Sequence, residues 1–185
     1  MTVTANKKEN KIKTLVLAAL FLALTLLLPF LTMQIPQIGS MLSPMHIPVL
    51  LCGFICGWKY GLIVGAVAPI LRFLLFSMPP IFPTGLAMTF ELAAYGACAG
   101  IVYMLLSKKL KKVYNVYASL IIAMICGRIV WGLAMSVIAL FAVNVEFGLA
   151  AFMAGAFINA VPGIILHILI IPILVLALEK AGISK

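Results

Sequence analysis

Three charged side chains fall inside long apolar runs, and each is a candidate for chemistry: Arg72, Glu91 and Arg128. A charge in the hydrocarbon core of a bilayer costs at least about 2.5–3.5 kcal/mol on insertion scales, so a residue retained there is a functional candidate by default. Met88 precedes Glu91 by three residues and Tyr95 follows it by four; Trp131 and Met135 follow Arg128 by three and seven. On a helix those spacings share one face. Thioether and aromatic surface around a few converging polar groups is the make-up of a small-molecule pocket. The plainer alternative is that Glu91 pairs with one of the arginines and only fixes helix packing, and the sequence leaves open which arginine that is.

Counted from the expected outer helix ends at 1.5 Å per residue, Arg72, Glu91 and Asn159 lie roughly 8, 10 and 12 Å deep. They are expected to share one layer in the outer half of the membrane. Gln34 and Gln37 beside Pro36, His46 after Pro44, and Asn144 fall in or near outer connections. There they either close over a ligand or supply ordinary interfacial polarity. The expected substrate-binding set is therefore Arg72, Glu91, Asn159, Met88, Trp131, Arg128, Gln37, His46 and Asn144. His167 lies deeper in the last apolar run and reads as a neutral imidazole bonded to a neighbouring carbonyl, outside the site.

Other chemistries find no support. No Gly-Lys pair occurs, so the chain has no phosphate loop and is not its own ATPase. Metalloprotease and Gly-x-Ser-x-Gly motifs are missing too. The four acidic residues are all Glu, and Glu91 alone lies inside a span, so a carboxylate dyad is excluded. An enzyme is not expected. Cys52, Cys56, Cys98 and Cys126 sit in apolar segments, which argues against disulfides and a metal site, and no cofactor is expected.

The elements that position these residues follow from composition. With 65% hydrophobic and 9% charged residues and mean hydropathy +1.27, the chain has far more apolar surface than a soluble fold can cover. A spanning helix takes about 20 apolar residues. Six runs are read as spans, 14–34, 45–58, 60–77, 84–106, 116–142 and 151–178, forming an all-α integral membrane protein. Residues 1–13 and 179–185 are its short flanking segments. The second run is short, which implies tilt, partial re-entry or lengthening by Pro44.

Eleven of the thirteen basic residues are lysines before the first span, between spans two and three, between four and five, and after the last. By the positive-inside rule that side, with both termini, is cytoplasmic. A Lys-rich start before an apolar run can be a signal peptide, but Leu15–Leu31 is long for one and no convincing cleavage site follows. It is read as a permanent helix. The run around Lys108–Lys112 lacks the aromatic platform of a nucleic-acid site, so anionic lipid headgroups are its expected contact.

Small residues carry a second pattern. Ala19 and Ala23 make a small-xxx-small face on the first helix, and Gly53, Gly57, Gly61 and Gly65 repeat that interval across the second connection. Internal packing accounts for such spacing as readily as docking does.

Taken in order, Ser43-Pro-Met-His-Ile-Pro48, Gly53-Phe-Ile-Cys-Gly57, Phe82-Pro-Thr84, Phe90-Glu-Leu-Ala-Ala-Tyr-Gly96, Gly127-Arg-Ile-Val-Trp-Gly132 and Pro162-Gly163 resemble the S components of energy-coupling factor vitamin transporters. The likeness covers about residues 12 to 180. It implies a subunit of the bacterial plasma membrane that binds a vitamin from outside and associates with a membrane T component and two cytoplasmic ATPases. It also implies a pocket in the outer half, and a docking face at Ala19 and Ala23, which match the family's Ala-x3-Ala pair. Two arginines against one glutamate suit a carboxylate, and pantothenate fits that charge. Riboflavin, pyridoxine-type vitamins, folate and queuosine precursors are the alternatives within the family. A stand-alone secondary transporter and a membrane assembly protein are the alternatives outside it.

Overall fold

The computed structural model describes residues 2–32, 41–142 and 147–183, which contain helices and no strand. Helix α1 (Thr2–Leu27) starts well before the expected span and runs through the basic segment, then tightens into a 3-10 turn at Leu28–Thr32. Helices α2 (His46–Cys56) and α3 (Trp58–Phe76) follow. A kinked turn, Ile81–Gly85, leads into α4 (Leu86–Leu106), and a short loop into α5 (Lys112–Phe141). The last span is interrupted: α6 (Leu149–Met153), a π-helical turn at Ala154–Ile158, then α7 (Val161–Lys180).

Five stretches are long and apolar enough to cross a membrane: Lys11–Leu31, Trp58–Phe76, Ile81–Leu106, Lys112–Phe141 and Leu149–Lys180. The second expected span is the exception. Helix α2 has 11 residues, about 16 Å at 1.5 Å per residue, against a hydrocarbon core of about 30 Å. All of its residues are buried, because α1, α3, α4 and α7 surround it. A helix that is apolar all round belongs inside a bundle, which is where this one sits.

Glycine lets α4 approach the α2–α3 hairpin. A Cβ added to Gly61 would lie 2.5 Å from the Gly96 carbonyl oxygen, and one at Gly53 would overlap the same oxygen. Gly65 abuts the Leu92 backbone in the same way. Three of the four expected ladder glycines thus pack helix on helix. Gly57 does not. It forms the turn between α2 and α3 with φ +90°, a conformation open essentially to glycine alone, and nothing stands near its missing Cβ.

Lysine-bearing segments meet at one end of the bundle. Lys13 Nζ donates to the Gly182 carbonyl at 3.0 Å. Lys112 Nζ pairs with Glu179 Oε2 at 2.8 Å, and the Tyr103 hydroxyl donates to Glu179 Oε1 at 2.7 Å. Buried Asn115 donates from Nδ2 to the Tyr103 carbonyl and accepts from Ser119, each at 3.0 Å. The starts of α1 and α5 and the ends of α4 and α7 are therefore held together by satisfied polar contacts, leaving the polar groups further along the helices as a separate cluster.

Candidate functional site

Glu91 and Tyr95 lie one turn apart on α4, and both are buried. The Tyr95 ring lies against α5 at Gly127, where an added Cβ would come within 2.7 Å of its carbons. That close approach sets the next residue, Arg128, beside the carboxylate: Nη1 stands 3.1 Å from Glu91 Oε1. Arg128 is thus the partner of Glu91. Its side chain is 12% exposed against 3% for Glu91, so it forms the accessible edge of the pair.

His46 completes the inner side. It opens α2, its Nε2 is 3.5 Å from the same Glu91 oxygen, and its ring meets Tyr95 edge-on at 5.0 Å between centroids. His167 of α7 lies 6.0 Å from His46 with the rings inclined by 29°. Ser43, with φ 47°, holds both: its carbonyl accepts from the His46 backbone N–H at 3.0 Å, and its backbone is hydrogen-bonded to the His167 ring. The expected carbonyl contact of His167 is present. What the sequence reading missed is that the ring also faces His46 and so joins the Glu91 cluster. The available signal was that the chain's two histidines both occur in apolar segments.

Arg72 is placed elsewhere. It is 4% exposed, and its Nη1 donates to the Leu26 carbonyl at 2.7 Å, at the end of α1. The guanidinium carbon lies 5.5 Å from the ring centres of Phe30 and of Phe76. Pro29 has no N–H to return to the preceding turn, and a cation is favoured where a helix ends in unsatisfied carbonyls. This local account differs from the expected layer around Glu91. Among the described residues, the basic groups within ion-pair distance of Glu91 are His46 and Arg128.

Trp131, one turn beyond Arg128, belongs to an aromatic group. Its ring meets Phe147 edge-on at 5.5 Å and stacks on Phe152 at 6.2 Å, while Phe152 meets Phe157 at 6.0 Å. Gly155 makes room for the Trp131 ring, and Gly132 for that of Phe152. Met88 is half-buried and packs against the core one turn before Glu91 on α4. Asn159 is exposed on the break between the π-helical turn and α7. Gln34, Gln37 and Asn144 lie outside the described residues. Ala19 and Ala23 are exposed on α1, on a face shared with Val16, Leu20 and Leu27, which are exposed as well.

The centre therefore combines a carboxylate, a guanidinium, two imidazoles and an aromatic flank. These groups offer ion pairing, hydrogen bonding and stacking. That is what a binding protein needs, and comparison with protein families agrees: the model for the ECF transporter, substrate-specific component, matches residues 13–175. The chain belongs to that family of membrane-embedded, substrate-binding transporter subunits. No curated protein and no solved structure matches it.

Proposed function

We propose that this subunit takes up a vitamin at the Glu91–Arg128 centre and hands it to a T component driven by two ATPases. The observation that carries the reading is the convergence of Glu91, Arg128, His46 and His167 from four helices in an otherwise apolar interior. So concentrated a set of polar groups inside a membrane protein is costly and marks a substrate path or site. Trp131 and its neighbouring rings supply the apolar flank that a pocket needs. Ala19 and Ala23 form the docking face for the T component, with the Lys-rich end of the bundle on the cytoplasmic side of a bacterial plasma membrane.

Pantothenate is our first candidate. It offers hydroxyls and an amide that can pair with Arg128 and the imidazoles, beside a carboxylate at its other end. Riboflavin, pyridoxine-type vitamins, folate and queuosine precursors follow as candidates. The deciding experiment is mass spectrometry of the small molecule retained on the purified protein, followed by calorimetric titration of the molecule found. A retained vitamin that binds the isolated chain without nucleotide is the expected result. A well-folded chain that retains and binds no vitamin overturns the reading.

A further inference from the structure

The Glu91 centre holds more hydrogen-bonding capacity than the protein itself uses. Both ring nitrogens of His46, Nε2 of His167 and Nε of Arg128 are buried without a hydrogen-bond partner. Each histidine is 3% exposed. Buried polar atoms in folded proteins are overwhelmingly paired, and each one left unpaired carries its desolvation cost. The 3.5 Å from His46 Nε2 to Glu91 is at the outer limit of a hydrogen bond and does not discharge that need. Unused donors and acceptors thus converge from α2, α5 and α7.

Their chemistry discriminates between ligands. His167 gives its other ring N–H to the Ser43 backbone carbonyl, so in the neutral ring Nε2 is an acceptor. A group that pairs with it must donate a proton. A carboxylate only accepts. Charge points the same way, because Glu91 already neutralises Arg128 and Arg72 is engaged at the end of α1. An incoming carboxylate would compete with Glu91 and be repelled by it. A hydroxyl or amide N–H meets no such opposition, and its oxygen can accept from the Arg128 Nε–H.

We propose that His46 and His167 are substrate-recognition residues, and that the group they receive together with Arg128 is an uncharged hydroxyl or amide. This rests on the reading that the Glu91 centre holds the substrate. It makes the uncharged end of the vitamin the part that is read, and leaves any carboxylate to lie away from Glu91.

The test is calorimetric titration of the purified protein in detergent with pantothenate, its alcohol analogue pantothenol, pyridoxine, riboflavin and biotin. At least one uncharged probe is expected to bind; if pantothenate binds, pantothenol is expected within about threefold of it. His167→Phe keeps a ring and removes both nitrogens. It is expected to weaken binding at least about tenfold without lowering the melting temperature of the ligand-free protein, and His167→Gln, with an amide oxygen to accept, to recover part of the loss. Binding confined to carboxylate probes, a loss beyond about tenfold from pantothenate to pantothenol, or wild-type affinity in both His167→Phe and His46→Phe overturns the proposal and leaves the Glu91 centre standing as a site. Binding of none of the five probes overturns the proposal, and a well-folded chain that also retains no small molecule on purification overturns the site reading with it.

Discussion

Arg128 Nη1 and Glu91 Oε1 stand 3.1 Å apart across the α4–α5 interface, and both groups are largely removed from solvent. Taking away one member of such a pair leaves a buried charge uncompensated, which costs about 3–5 kcal/mol, whereas replacing both can be neutral. Arg128→Met and Glu91→Gln are each expected to lower the melting temperature in detergent, and the double variant to regain most of the loss. Ligand affinity should stay low in all three. A double variant with wild-type affinity would make the pair purely structural.

Arg72 serves a different joint. Its bond to the Leu26 carbonyl is charge-assisted, a type of contact that contributes about 1.5–3 kcal/mol. Arg72→Ala is expected to cost stability in that range and to leave ligand affinity within about threefold. Chemical denaturation beside calorimetry separates the two effects. A tenfold loss of affinity in a stable Arg72→Ala protein would return this arginine to the binding site.

Docking is expected to depend on the face of α1 that carries Ala19 and Ala23. Both are exposed, and tryptophan at either position roughens the surface offered to another helix. The Ala19→Trp/Ala23→Trp variant should bind substrate normally and lose co-purification with the T component and ATPases. Unchanged co-purification would move the docking face elsewhere.

The glycines divide into two classes with different costs. At Gly61 an added methyl would meet the Gly96 carbonyl of another helix, and backbone yields little. Gly61→Ala is expected to destabilise by at least about 1–3 kcal/mol, the range for overpacking. At Gly57 there is open space but φ is +90°, so the cost of Gly57→Ala, about 1–3 kcal/mol, comes from backbone strain alone. Enlarging Gly61 further to Val should raise the penalty, while Val and Ala should differ little at Gly57. Thermal unfolding of the four variants tests that contrast.

The helical layout was legible because apolar runs and lysine clusters report directly on membrane length and on helix ends. The expected span from 116 to 142 corresponds to α5, and the spacing of Gly53, Gly61 and Gly65 announced a close helix contact. What sequence spacing does not encode is rotation between helices. It assigned Glu91 a partner without choosing between Arg72 and Arg128, because both sit in apolar runs and spacing along one helix does not say which of them faces another. Gly127 makes the choice, by letting Tyr95 lie against α5. His167 was set aside for the same reason: its neighbour His46 is 121 positions earlier in the chain, and only the turn at Ser43 brings them together. The short reach of α2 was visible in the sequence, but its burial on every side was not.

That burial bears on how the membrane acts on the protein. Spanning helices respond to bilayer thickness by tilting or by deforming the lipid around them, but α2 is covered by its neighbours over its whole length and meets no acyl chain. Lengthening or shortening the lipid tails therefore exerts no direct force on it. His46, its first residue, is reached by such a change only through the helices packed around α2. Bilayer thickness is felt instead by the five longer apolar stretches around it, each of which exposes apolar side chains.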